Sequence, residues 1–214
     1  MSSPICPISG ESFLEERFNH WTHRIAFLFS LVGFPILIVY ASLHGDLWKI
    51  AGYAVFGMTL IALYLASTYY HGCDKLHVKR KLRVVDHACI YLLIAGTYTP
   101  LTLGPLRETI GWPLFATQWS IAAAGIILKI ITVERLKVLS VLSYLLLGWM
   151  IVFCGEHLLN VLSPSCLVLI AIGGLSYTIG VIFFIWESLP FNHAVWHLFT
   201  MAGSLCHFFA MLMM

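Results

Sequence analysis

The chain has 214 residues, of which 60% are hydrophobic and only 10% are charged, with a net charge of +2 and a mean hydropathy of +0.89. An average soluble domain is about 45–50% apolar and about 25% charged, so the composition excludes an ordinary soluble protein and predicts a membrane protein. The small net charge, without a basic patch that contains aromatic residues, argues against a nucleic-acid partner.

Seven apolar runs are long enough to cross a membrane as helices, which takes about 20 residues each. Residues 1–24 lack the apolar core of a cleavable signal peptide, and we interpret them as a short cytoplasmic segment before a seven-transmembrane domain, residues 25–214. The runs are continuous rather than alternating, which predicts an all-α polytopic bundle. The predicted spans are Ile25–Leu43, Ile50–Tyr70, Val84–Leu103, Trp112–Thr132, Val138–Gly155, Cys166–Trp186 and His193–Met213.

Lys and Arg concentrate on the cytoplasmic side of membrane proteins. With seven spans, ten of the twelve Lys and Arg residues fall on the side of the N-terminus, and only Lys49 and Arg107 fall on the other. The longest connection, Lys75–Arg83, is also the most basic, and we predict a loop in contact with anionic lipids. The bias predicts a cytoplasmic N-terminus, a C-terminus outside and a multi-pass protein of the plasma (inner) membrane.

The six cysteines form no CxxC pair, so the sequence predicts neither a thiolate zinc site nor a disulfide framework. Most of them lie in or beside apolar runs, where we expect small buried side chains.

Polar residues of different spans converge at the predicted cytoplasmic side. The stretch "FNHAVWHLFT" places His193 and His197 on one face of the seventh span, because residues four apart on a helix share a face. The second span ends near His71, with Ser67 one turn earlier on the same face. Ionisable side chains are costly inside a membrane and indicate function.

The third span begins with Asp86 and His87 at the same depth. Neighbouring helical residues point in different directions, so one of the two is expected to face the site, and the spacing does not decide which. Three neutral imidazoles leave a fourth tetrahedral position for water, the arrangement of catalytic zinc, and bound water with a pKa of about 7 becomes a nucleophile. Asp86 would hold or deprotonate that water, and Ser67 would orient it or donate to a developing oxyanion.

The remaining histidines have simpler interpretations. His207 lies about 15 Å beyond His197 along the helix axis, too far to join the same site, and we predict a hydrogen-bonded structural role. Glu16 and Asn19 either cover or support the site or have a capping or interfacial role at the first span, and the sequence leaves these alternatives open. We expect five histidines near helix ends or in loops to be solvated: His20, His23, His44, His77 and His157.

Four stretches resemble the bacterial haemolysin III branch of the progestin and adipoQ receptor (PAQR) family, from about Glu16 to Phe208: "ERFNHWTH", "STYYHG", "DHACIYLLIAGTYTP" and "NHAVWHLFTMAGSLCHF". This family groups with the alkaline ceramidases as seven-helix membrane hydrolases. The chain lacks the long N-terminal extension of the animal receptors, so the resemblance does not extend to hormone signalling.

The resemblance implies zinc bound by one histidine of the second helix and two of the seventh. It also selects Asp86 over His87, because the family aspartate begins the third helix. The implied metal ligands are His71, His193 and His197, and the implied catalytic residues are Asp86 and Ser67.

We therefore expect a zinc-dependent intramembrane hydrolase of lipid amide or ester bonds, similar to a ceramidase, with zinc-activated water at the cytoplasmic side and membrane lipids as partners. The alternative is a non-enzymatic regulator of membrane homeostasis, or a cytolysis-associated haemolysin III-type protein, in which zinc is structural. A haem-binding cytochrome is disfavoured, because axial ligation by His71 and His197 would leave His193 and Asp86 without a role.

Overall fold

The computed structural model describes residues 5–132 and 137–214, so Arg135, one of the predicted cytoplasmic cations, lies outside the described residues. Within these ranges the regular structure is helical, and seven helical segments are long and apolar enough to cross a membrane, which confirms the seven-helix prediction. A π-helical turn, Arg107–Gly111, precedes the helix Trp112–Thr132, and a 3₁₀ turn, Met150–Cys154, joins the helices Lys137–Trp149 and Gly155–Val161 into one span. The helices are α1 (Phe13–His44), α2 (Leu47–His71), α3 (Leu76–Leu103), α4 (Trp112–Thr132), α5 (Lys137–Trp149), α6 (Gly155–Val161), α7 (Pro164–Ile185) and α8 (Asn192–Met211).

Helix α1 begins at Phe13, well before the predicted start at Ile25. A capping box explains this start: the Ser12 side chain accepts from the Glu15 backbone N–H, and the Glu15 carboxylate accepts from the Ser12 N–H. Three polar residues in the early part of α1, Glu16, Asn19 and His23, share one face and are buried in the protein. The hydropathy pattern therefore missed three turns of a helix that was continuous with the first span.

The basic connection before the third span is also mostly helical, because α3 begins at Leu76. The prediction of a loop over Lys75–Arg83 is therefore wrong: only Gly72–Lys75 separate α2 from α3. Lys79 is 3% exposed and pairs with Glu16, and Arg83 donates to the Ile8 carbonyl oxygen at 2.9 Å. Both cations thus contact the N-terminal side of the bundle, whereas the other basic residues of the stretch, Lys75, Arg80 and Lys81, are exposed.

Tyrosines and small residues hold the helices at the correct distance for the site. The Tyr64 hydroxyl of α2 donates to Ser204 Oγ of α8 at 2.7 Å, and Tyr53 donates to the Met211 carbonyl oxygen. Gly96 of α3 lies against Thr59 of α2 without room for a Cβ atom, a close approach that small residues allow in membrane helices. These contacts fix α2 between α1, α3 and α8.

The segment before α1 folds over the same end of the bundle. The Cys6 N–H donates to the Glu11 carbonyl oxygen at 2.7 Å, and Gly10 turns the chain with a positive φ of 82°. Cys6 and Ile8 are buried against Tyr70 of α2. The six cysteines are free thiols, and four of them are buried, which agrees with the predicted absence of a disulfide framework.

Candidate metal centre

Three histidines from two helices meet at one end of the bundle. His71 lies in the last turn of α2, and His193 and His197 lie in the first two turns of α8. Their ring centroids are 4.6–5.2 Å apart, and one ligand nitrogen from each lies within 4.8 Å of the other two. The structure thus brings together the three predicted ligands, with the i, i+4 spacing of α8 supplying two of them.

Each imidazole is held through its Nδ1 atom. His71 Nδ1 lies 2.7 Å from the Glu16 carboxylate, and His193 Nδ1 lies 2.9 Å from the Glu11 carboxylate. His197 Nδ1 lies 3.0 Å from Thr22 Oγ1. An ionised carboxylate can only accept a hydrogen bond, so Nδ1 carries a proton in His71 and His193, and Nε2 keeps its lone pair when the ring is neutral.

The hydroxyl of Thr22 leads to the same assignment for His197. It donates to the Asn19 carbonyl oxygen at 2.9 Å, so its oxygen is available to accept from His197 Nδ1–H. Metal-binding histidines usually donate their other ring N–H to a carboxylate or an oxygen in this way. All three side chains therefore have the tautomer that a metal ligand requires.

The free nitrogens fit a metal ion. His71 Nε2 is buried and has no hydrogen-bond partner among the described residues, and a buried polar atom left without a partner costs about 1–3 kcal/mol. A set of neutral imidazoles suits zinc and other borderline divalent ions. The residues present therefore fit the metal that the resemblance implies.

Glu11 lies before the first span and is the ionised partner of His193. Burial alone would raise the pKa of the Glu11 carboxyl, but attraction to His193 and the hydrogen bond to it outweigh burial, and the pKa lies below its ordinary value. Asn19 donates from its side-chain amide to the same carboxylate. The N-terminal segment thereby contributes a fixed negative charge next to the histidines.

Asp86 and Ser67 face the same space as the histidines. Asp86 is 7% exposed on α3 and lines the same cavity as His193 and His197. Ser67 is 1% exposed, lies close to Asp86, and has no hydrogen bond of ordinary length to any described residue. The structure thus places both predicted catalytic side chains beside the histidines.

The sequence alone left the roles of Glu16 and Asn19 open and did not identify Glu11 and Thr22 as residues of the site. Glu16 holds His71, and Asn19 holds Glu11, so both support the site rather than cap a helix. The available signal was the spacing of Glu16, Asn19 and His23, which places three polar residues on one face of a helix in an apolar chain.

His23 contradicts the prediction that it is solvated. It is 4% exposed and stacks on His197 with a centroid distance of 3.4 Å and an interplanar angle of 16°. Its position on the inner face of α1 explains the burial. His207, predicted to be structural, lies outside the cluster, and its Nε2 lies 3.3 Å from the Ile170 carbonyl oxygen.

A cavity of about 530 Å³ adjoins the histidines, within the usual range for ligand pockets. His193, His197, Asp86 and Ser67 line its polar part. Apolar side chains of α3, α5 and α7 line much of the rest: Ile90, Leu93, Ile94, Leu145 and Val181. The cavity therefore suits a ligand with one polar and one hydrocarbon part.

Comparison with known proteins shows extended similarity. A family described as "Haemolysin-III related" matches residues 11–208. The chain is 41% identical to the "Hemolysin-3 homolog" of Bacillus subtilis (strain 168) over 198 residues, which cover 92% of this chain and 93% of the relative. It is 43% identical to "Hemolysin-3" of Bacillus cereus over 198 residues, covering 92% and 90%.

The similarity extends to animals. The human "Monocyte to macrophage differentiation factor" is 32% identical over 206 residues, which cover 92% of this chain and 82% of the human protein. No solved structure matches the chain significantly.

Proposed function

The chain belongs to the haemolysin III-related branch of the PAQR family and is a multi-pass integral membrane protein, and we propose that it is a zinc-dependent hydrolase of lipid amide or ester bonds in the plasma membrane. The observation that carries the proposal is the set of three imidazoles whose Nδ1 atoms are engaged, beside a buried carboxylate and a cavity with apolar walls.

His71, His193 and His197 are the proposed zinc ligands, each through Nε2. When bound by three imidazoles, zinc supplies a Lewis acid and a water of lowered pKa. Glu11, Glu16 and Thr22 fix the ring tautomers by accepting hydrogen bonds from Nδ1–H, which leaves the Nε2 lone pair of each neutral ring free for the metal. The metal would also connect α2 with α8, so its loss would weaken the fold as well as the chemistry.

Asp86 is the proposed general base. Its carboxylate would accept a proton from the attacking water and then return it to the nitrogen or oxygen of the leaving group. The reaction would consume one water, break the bond between the carbonyl carbon and that atom, and release a fatty acid with an amine or an alcohol. The Ser67 hydroxyl would donate a hydrogen bond to the carbonyl oxygen as negative charge develops on it.

Elemental analysis of purified protein tests the metal site. We expect about one zinc per chain, as the three-imidazole site requires, and loss of zinc in His71→Ala and in the His193→Ala/His197→Ala double variant. His207→Ala is the matched control, since His207 is also a histidine of α8 but lies outside the cluster. Zinc-free wild type, or zinc unaffected by the ligand variants, would overturn the proposal.

Turnover of ceramide and ester lipids by the zinc-loaded protein tests the hydrolase. We expect Asp86→Asn to keep zinc, because Asp86 is not a proposed ligand, and to lower the rate by about 100-fold or more through loss of the base. A protein that binds zinc and hydrolyses no amide or ester lipid would contradict the hydrolase and favour the non-enzymatic membrane regulator, especially if Asp86→Asn kept the cellular phenotype.

A further inference from the structure

Two cations in the cavity wall have no acidic partner among the residues that the structure describes. Lys129 lies near the end of α4 and is only 2% exposed, and Arg83 lies on α3. Both line the cavity that contains the histidines. Within residues 5–132 and 137–214, no carboxylate forms an ion pair with either one.

The contacts that these side chains do make leave their charges largely uncompensated. The Lys129 ammonium lies 6.0 Å from the ring centroid of Tyr144, and Arg83 donates to the backbone oxygen of Ile8. His87 lines the same cavity as the two cations. Asp86 feels the charge of Arg83 but forms no ion pair with it.

A buried cation without a partner is costly, and a second cation beside it adds to the cost. Lys137 shows the usual solution at the edge of the same cavity, because it is half-exposed and pairs with Glu187. Lys129 and Arg83 have no such ion pair among the described residues. An anionic ligand would supply the missing negative charge, since guanidinium and ammonium groups bind phosphate and carboxylate oxygens through charge-assisted hydrogen bonds.

We propose that Lys129 and Arg83, with His87 beside them, form a subsite for the phosphate head group of an anionic lipid. The hydrocarbon part would lie along the apolar wall formed by residues such as Leu93 and Leu145. Two cations suit a phosphate, which carries up to two negative charges. The proposal deepens the proposed function, on which it rests for a lipid ligand, by adding selection for a negative head group.

Binding of ether-linked lipids tests the subsite without hydrolysis, because an ether has no ester bond to cleave. The probes are an ether-linked phosphatidate, the neutral ether-linked glycerol with the same chains, and inorganic phosphate alone. Native mass spectrometry of the zinc-loaded protein in detergent reports binding. We expect the phosphatidate to bind at least about tenfold more tightly than the neutral lipid, as expected for hydrogen bonds to charged groups.

Lys129 variants assign the effect to the subsite. Lys129→Gln should reduce phosphatidate affinity by about tenfold, whereas Lys129→Arg should retain it. Lys137→Gln is the matched control, because Lys137 lines the same cavity but is already paired and half-exposed; its effect should stay within about twofold. Lys129→Gln should not lower the melting temperature, since it removes a buried charge that has no ion-pair partner among the described residues. An unchanged melting temperature would show that weaker binding does not result from misfolding.

The outcomes distinguish this subsite from the proposed hydrolase. Equal affinity for the charged and neutral lipids, or unchanged phosphatidate affinity in Lys129→Gln, overturns the subsite even if the protein hydrolyses lipids. Phosphate alone binding as tightly as phosphatidate overturns the lipid assignment and indicates a site for free phosphate. Selective phosphatidate binding by a protein that hydrolyses no lipid supports the subsite and overturns only the hydrolase.

Discussion

Each of the three imidazoles presents a single nitrogen to the site because the other nitrogen is already hydrogen-bonded. Two of the acceptors are carboxylates, and all three come from the N-terminal segment or the first turns of α1. The helices that carry the proposed ligands, α2 and α8, therefore do not orient them alone. We infer that the affinity of the site for metal depends on a part of the chain that supplies no ligand.

Glu11 allows a direct test of this dependence. Glu11→Gln keeps the size of the side chain but removes the negative charge that holds His193 Nδ1–H. Loss of such an outer partner typically lowers metal affinity by about 10–100-fold, and we expect at least about tenfold weaker zinc binding in a chelator competition titration. The control is Glu108→Gln, because Glu108 has an 84% exposed side chain that pairs with Arg107, outside the histidine cluster. Equal zinc affinity in both variants would contradict the role given to Glu11.

At the scale of elements, the same polar residues explain where sequence reasoning succeeded and failed. The predicted span Trp112–Thr132 coincides with α4, because no polar face interrupts its apolar run. Helices α1 and α3 begin long before their predicted starts, because Glu16 and Lys79 lie on faces that turn inward and pair with each other. A hydropathy profile ends a predicted span at such charged residues, although in the fold they are buried beside the site.

The predicted site followed from spacing and chain order, but its supporting residues did not. Helix periodicity predicted the pairing of His193 with His197, and topology predicted their approach to His71. The approach of Glu11 to His193 depends on a turn at Gly10 and on the burial of Ile8 against Tyr70. No local pattern specifies that long-range contact, so the sequence alone could not predict it.

The approach of α2 to α3 includes a glycine, Gly96, that a single methyl group would disturb. A Cβ atom on Gly96 would lie 2.1 Å from Thr59 Oγ1 and 2.9 Å from Thr59 Cβ. We expect Gly96→Ala to destabilise the protein by about 1–3 kcal/mol, the usual cost of overpacking, measured as the thermal unfolding of detergent-solubilised protein. Gly148→Ala is the matched control, since a Cβ there meets nothing within 4 Å and alanine favours a helix.

A second variant tests the cause of the Gly96 effect. Thr59→Ala shortens the opposing side chain, so Gly96→Ala combined with Thr59→Ala should be less destabilised than the sum of the single changes, as expected for residues in contact. If the destabilisations of the single variants simply add in the double variant, contact with Thr59 is not the cause of the Gly96→Ala effect.

At the scale of the whole molecule, the N-terminal segment, the histidines and the cations of the proposed subsite lie at one end of the bundle. Lys79, Arg83 and Lys129 belong to the Lys and Arg residues that predict the cytoplasmic side, yet Lys79 is paired within the protein and Arg83 and Lys129 line the cavity. The residues that predict orientation are thus also residues of the site. If the orientation is as predicted, the proposed chemistry takes place at the cytoplasmic leaflet.

Cysteine labelling in intact cells measures that orientation. His77→Cys introduces a thiol at an exposed position of the first turn of α3, predicted to face the cytoplasm, and Glu108→Cys introduces one at an exposed position predicted to lie outside. Both are made with Cys73→Ser and Cys206→Ser, because the other four native cysteines are buried. We expect a membrane-impermeant maleimide to label the Glu108→Cys protein in intact cells and the His77→Cys protein only after lysis. The reverse pattern would place the histidines and the proposed lipid chemistry at the outer leaflet, because His71 and His77 lie at the same end of the bundle, on either side of the short turn between α2 and α3.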